Sequence, residues 1–112
     1  MPITIINGPI IPAGQSLSDG VDCSAGKLVR ITTPADWTPA NLSFQISSDG
    51  LGFNDLYKGG SEVIVPCGPN RGIVIIPENW PGTVHLKFRS GRSAYPVPQV
   101  AQREFAVAIE TP

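Results

Sequence analysis

Acid–base and nucleophilic catalysis need a histidine, a pair of carboxylates or a poised thiol gathered in one pocket. This chain of 112 residues has one histidine, His85, and two cysteines, Cys23 and Cys67. His85 lies in "VHLKFRS", where alternation turns Val84, Leu86 and Phe88 inward and His85, Lys87 and Arg89 outward. A lone outward histidine is a poor general base, so no catalytic constellation is predicted and the chain reads as a non-enzyme. His85, Lys87 and Arg89, with Arg92 beyond them, read first as a solvated strand face. Their sharper reading is a basic stripe that meets an acidic partner, unless Glu104 and Glu110 of the last strand neutralise it across the sheet.

Metal and cofactor chemistry find little to work with. Two cysteines and one strand histidine are too few ligands for a closed zinc site, so no metal is expected at Cys23 or Cys67. Three states of these thiols stay open: buried and inert, bonded to each other, or bonded to a neighbouring subunit. Asp19 and Asp22 lack the dense oxygen-ligand loop of a calcium site and read as turn formers. "YKGGSE" and "CGPNRG" lack the Gly-Lys-Ser/Thr ending and the helix of a phosphate loop. No cofactor is predicted.

Aromatic side chains offer one binding chemistry. Trp37 in "DWTP" and Trp80 in "NWPG" each sit beside a proline. Either could cap an open end of a core, or, with Tyr57, stack on a sugar ring in a carbohydrate-binding module. Capping is the preferred reading.

The elements that must position these residues are strands. Glycine and proline number 12 each and only 15% of residues are charged, which favours short strands joined by turns over coiled coil or disorder. "LSFQIS" places Leu42, Phe44 and Ile46 on one face, and "EFAVAIE" does the same for Phe105, Val107 and Ile109. With Leu86 and Phe88 these residues make the predicted core. "KLVRI" is a shorter apolar run. "ITII", "EVIVP" and "GIVIIP" are almost continuous in β-branched residues and read as doubly covered strands or as edges stopped by proline. "SDGLGFNDLY" reads as a hairpin turning at Asp49-Gly50, with Phe53, Asp55 and Tyr57 on one returning face. In "PADWTPANL" two prolines leave space for one helical turn at most. The sum is an all-β chain, a single antiparallel β-sandwich of jelly-roll or Ig-like type with roughly seven to nine short strands.

The chain divides into an N-terminal segment, 1–12, and a sandwich domain, 13–112. Within the first, Ile3, Ile5, Ile6, Ile10 and Ile11 are broken by Pro9 and Pro12. They form either the first strand or an arm that contacts another subunit. A net charge of −1 argues against nucleic-acid binding. No apolar run of about 18 residues and no positively charged leader are seen, so no membrane association is expected and the chain is expected to stay soluble.

"ITTPADWTPANLSFQISSDGLGFNDLY", followed by "LKFRSG" and a Pro-Val-rich approach to the last strand, resembles small proteins encoded among the structural genes of tailed phages and prophages of alphaproteobacteria. The likeness spans residues 17–109. "SSDGLGFNDLY" is locally similar to a hairpin of discoidin-type sugar- or lipid-binding domains. The first resemblance implies a virion component made in the host cytoplasm: a head decoration or cement protein, or a neck, collar or tail-surface subunit. Its implied partners are the major capsid protein or other virion structural proteins, and further copies of itself in a homo-oligomer.

Overall fold

Alternation does its work where it is strict. In the computed structural model, which describes residues 2–75 and 85–111, Leu42, Phe44, Leu86, Phe88, Phe105, Val107 and Ile109 are all buried in one core, with Ile46 packed against it. The strands are β1 (Ile3–Ile11), β2 (Val21–Asp22), β3 (Lys27–Thr32), β4 (Leu42–Ser47) and β5 (Asn54–Asp55), then β6 (Tyr57–Lys58), β7 (Ser61–Glu62), β8 (Gly72–Val74), β9 (His85–Ser90) and β10 (Arg103–Glu110). Val84 lies outside the described residues.

Eight of these form two four-stranded sheets, ordered β1-β10-β3-β8 and β2-β9-β4-β5, while β6 and β7 make a separate small hairpin. All pairings are antiparallel. The pairs β1–β10, β2–β9, β3–β8 and β4–β5 are nested one inside the next. That order belongs to a jelly roll and not to an Ig-like sandwich. Aromatic rings join the two layers. Phe44 meets Phe88 edge-on at 5.3 Å, Phe88 meets Phe105 of the other sheet at 5.0 Å, and Phe105 meets Trp37 at 5.3 Å. Such contacts add to the area that each ring removes from water.

The N-terminal segment is part of this sandwich. β1 pairs with β10 from Ile3 opposite Glu110 to Ile11 opposite Arg103, with a register shift between Asn7 and Ile10. Gly8 occupies that shift at φ 139°, a backbone conformation that favours glycine, and the Gly8-Pro9 peptide is cis. Asp19 accepts the Ile10 N–H at 2.8 Å and so ties the irregular part of the strand to the next loop. Ile11 is fully buried in the core. Of the two readings of residues 1–12, Ile3–Ile11 form the first strand of the chain's own sheet.

One predicted strand is shorter than its composition suggests: "EVIVP" supplies only the end of β7 and an isolated bridge from Val65 to Leu42. "GIVIIP" supplies β8, and its Ile76 and Pro77 lie outside the described residues. The chain pairs with β4 through β5 and Leu56, leaves for the β6–β7 excursion, and returns at Val65, whose N–H and C=O both bond Leu42 at 2.9 Å. Leu56 stays buried at the root of this excursion.

Candidate functional site

The chemistry-bearing side chains converge on the outer face of the second sheet. On β9 that face carries His85, Lys87 and Arg89, opposite Ser47, Gln45 and Ser43 of β4. The direction agrees with alternation, but the surroundings do not form an open stripe. The connection from β4 to β5 folds back over the face. Gly50, at φ 79°, places its Cα where an added Cβ would stand 3.3 Å from the His85 ring, and the Lys87 ammonium sits 4.5 Å above the centroid of Phe53.

Asp49 shapes that connection. Its Oδ1 accepts the N–H groups of Leu51 and Gly52 at 2.9 and 3.2 Å and the Ser47 hydroxyl at 2.9 Å. The Leu51 and Gly52 N–H groups, helped by that hydroxyl, hold the Asp49 carboxyl below its ordinary pKa. The segment is therefore a side-chain-braced loop over residues 48–53, where a tight turn at Asp49-Gly50 was expected. Phe53 and Asp55 share one face as expected, here the outer one, whereas Tyr57, expected beside them, belongs to the β6–β7 hairpin.

Arg89 is the centre of the site and is only 7% exposed. Its guanidinium pairs with Asp55 through Nη2 and with Glu62 through Nη1 at 3.3 Å, and also donates to the Ser43 hydroxyl at 3.2 Å. Both oxygens of Glu62 accept the Ser93 N–H at 3.2 Å. The hydrogen bond from Arg89 holds the Asp55 carboxyl below its ordinary pKa, against the opposing effect of burial. One guanidinium thus fastens β5 and the β6–β7 hairpin to the sheet, and Glu62 in turn holds the loop after β9. Glu104 and Glu110 belong to β10 in the other sheet, so the acids that neutralise Arg89 are Asp55 and Glu62. Arg89 is removed from the predicted contact stripe, His85 and Lys87 are half-buried, and Arg92 is exposed.

A second cluster fixes the Trp37 loop. Buried Gln99 accepts the Thr38 N–H at 2.8 Å and donates to the Thr38 carbonyl at 3.0 Å and the Ser90 hydroxyl at 2.7 Å. Arg103, also buried, donates to Gln99 at 3.1 Å and pairs with exposed Asp36 at 2.8 Å. The Trp37 indole donates to the Ala40 carbonyl at 3.1 Å and is 2% exposed. It caps the core, and no sugar can stack on it without opening the loop. Tyr57 is 54% exposed, and Trp80 lies outside the described residues.

The sequence signals for these clusters are weak. Alternation sets Asp55 on one face with Phe53, but Glu62 heads the predicted strand "EVIVP" with nothing to mark it as a partner of Arg89, and Gln99 and Arg103 lie in the approach to the last strand. Asp22 accepts the Ser24 N–H at 2.8 Å, a local turn-forming contact, whereas Asp19 bonds Ile10 of β1, nine residues away. Cys23 and Cys67 are free thiols, and burial pushes both up to about 11. Among the described residues no three His, Cys, Asp or Glu side chains are grouped to hold a metal ion.

The first sheet presents a different surface. Ile3 and Ile5 are each about half exposed on β1, and Val74 on β8 is 79% exposed. Ile6 and Ile10 are half-buried, and Ile11 lies in the core, so of the five isoleucines Ile3 and Ile5 offer the most surface to another molecule. Comparison with known proteins finds no matching family model, no matching curated protein and no matching solved structure.

Proposed function

We propose that this chain is a non-enzymatic structural subunit of a phage particle that works through protein–protein contact. Its place is on the head as a decoration or cement protein, or on the neck, collar or tail surface, against the major capsid protein or other virion proteins. The observation that carries the reading is how the side chains are used. The ion pairs of Arg89 and Arg103 brace loops of the chain itself, while exposed aliphatic residues lie on an edge and outer face of the first sheet. Groups committed to internal bracing leave contact area as what the surface has to offer. The jelly-roll order supports the reading by analogy with capsid domains, although lectins share it and a fold alone assigns no activity. The sequence resemblance adds the virion.

Quantitative mass spectrometry of gradient-purified particles tests this. The chain is expected at a fixed ratio to the major capsid protein, and particles lacking it are expected to lose integrity at lower temperature. A chain absent from purified particles would overturn the proposal.

A further inference from the structure

We infer that β1 is a self-complementary edge, and that a second copy of this chain pairs with it antiparallel about a two-fold axis through Ile5. The inference rests on reading the chain as one that works through contact, and its argument comes from strand geometry.

Hydrogen-bond parity decides which groups of β1 face outward. The Thr111 N–H donates to the Pro2 carbonyl at 2.9 Å, one step beyond Ile3 opposite Glu110. In an antiparallel pair bonded and non-bonded positions alternate. Thr4 and Ile6 therefore bond β10, while Ile3, Ile5 and Asn7 direct their N–H and C=O groups away from the sheet. The same alternation holds further across. Val29 of β3 and Thr33 just after it bond Ile75 and Arg71 on the β8 side, which leaves Arg30 and Thr32 to face β10.

Sheets protect their edges with prolines, charges, bulges or short strands. At the other edges β2 and β5 are two residues long and β8 is three. β1 runs from Ile3 to its register shift after Asn7 with no proline and no charge, and among the described residues nothing pairs with its far side. Pro2 and Pro9 bound this stretch, since neither has an N–H to offer.

A second copy fits these limits. Pairing Ile5 with the partner's Ile5 sets Ile3 opposite the partner's Asn7, and every outward N–H and C=O of the three residues meets a group of the opposite kind. The two-fold closes the contact on itself. The two Ile5 side chains then lie side by side on the outer face, each covering surface that is 51% exposed in the single chain. No charge stands within residues 3–7 to repel its mate.

The test uses the purified full-length chain. Sedimentation equilibrium up to about 1 mM protein, which reveals a dimer with Kd tighter than that, is expected to show the mass doubling. Ile5→Pro removes an N–H that bonds nothing within the chain, and Ile5→Lys places a charge on the axis. Both are expected to give monomers with unchanged circular dichroism. In a Cys67→Ser background, Ile5→Cys is expected to oxidise to a covalent dimer. Bonded pairs lie about 5.5 Å apart at Cα, within the disulfide range of about 4.4–6.8 Å. Ile3→Cys, off the axis and opposite the partner's Asn7, is expected to form no covalent dimer. A wild-type monomer at every concentration, a dimer unaffected by Ile5→Lys, or equal cross-linking from positions 3 and 5 would overturn the inference. A monomeric chain found in particles would leave the virion reading standing without this pairing, and a dimer absent from particles would do the reverse.

Discussion

A guanidinium held beneath a loop between two carboxylates cannot be removed without stranding them. Arg89→Met is expected to lower unfolding free energy by about 3–5 kcal/mol, the usual result of breaking a buried pair from one side, as measured by urea denaturation. Acid should attack the same place. The Asp55 carboxyl is lowered by its bond from Arg89, and Asp49 by the N–H groups of its loop. A lowered carboxylate contributes stability that is present above the unfolded value of about 4 and is lost as pH falls through the folded value. The thermal midpoint is therefore expected to fall as pH drops below about 4, and Asp55→Asn is expected to flatten that fall. The thiols lie at the other end of the scale, with both pKa values at about 11. Thiolate is the reactive form, so Ellman's reagent at neutral pH is expected to label Cys23 and Cys67 slowly in the folded chain and rapidly in denaturant.

Strands divide into those that carry their own instructions and those that depend on neighbours. β1 belongs to the core through Ile11 and to the sheet through β10, so deletion of residues 2–12 is expected to abolish cooperative unfolding in circular dichroism. Ile11→Ala alone is expected to cost about 2–5 kcal/mol. The inward rows of β4, β9 and β10 were legible in the sequence because strict alternation needs no knowledge of the partner strand. The fate of their outer faces was not legible. Whether Arg89 meets water, a partner or Asp55 depends on the path taken by residues 48–62, and that path is set by Asp49 bonds and by Val65 pairing with Leu42. Trp37 was legible as a cap from its proline-bounded loop, whereas its support by Gln99 joins residues distant in sequence and has no local signature.

At the scale of the molecule, nesting makes the earliest strand wait for the last. The jelly-roll order could not be separated from an Ig-like one by local patterns, because it is a statement about distant pairs such as Ile3 with Glu110. The same long-range pairing predicts slow folding, since loop closure must precede its reward. Stopped-flow tryptophan fluorescence is expected to show a main refolding phase in the range of about milliseconds to seconds.

The bond between Pro2 and Thr111 sets the two ends of the β1–β10 pair side by side. Tension applied at those ends therefore pulls across the ladder and loads one hydrogen-bonded rung at a time. β1 would peel from β10 like a zip, where tension along the strands would have loaded all the rungs together. A subunit gripped by its ends yields at low force. One held by its faces and edges is spared that unzipping.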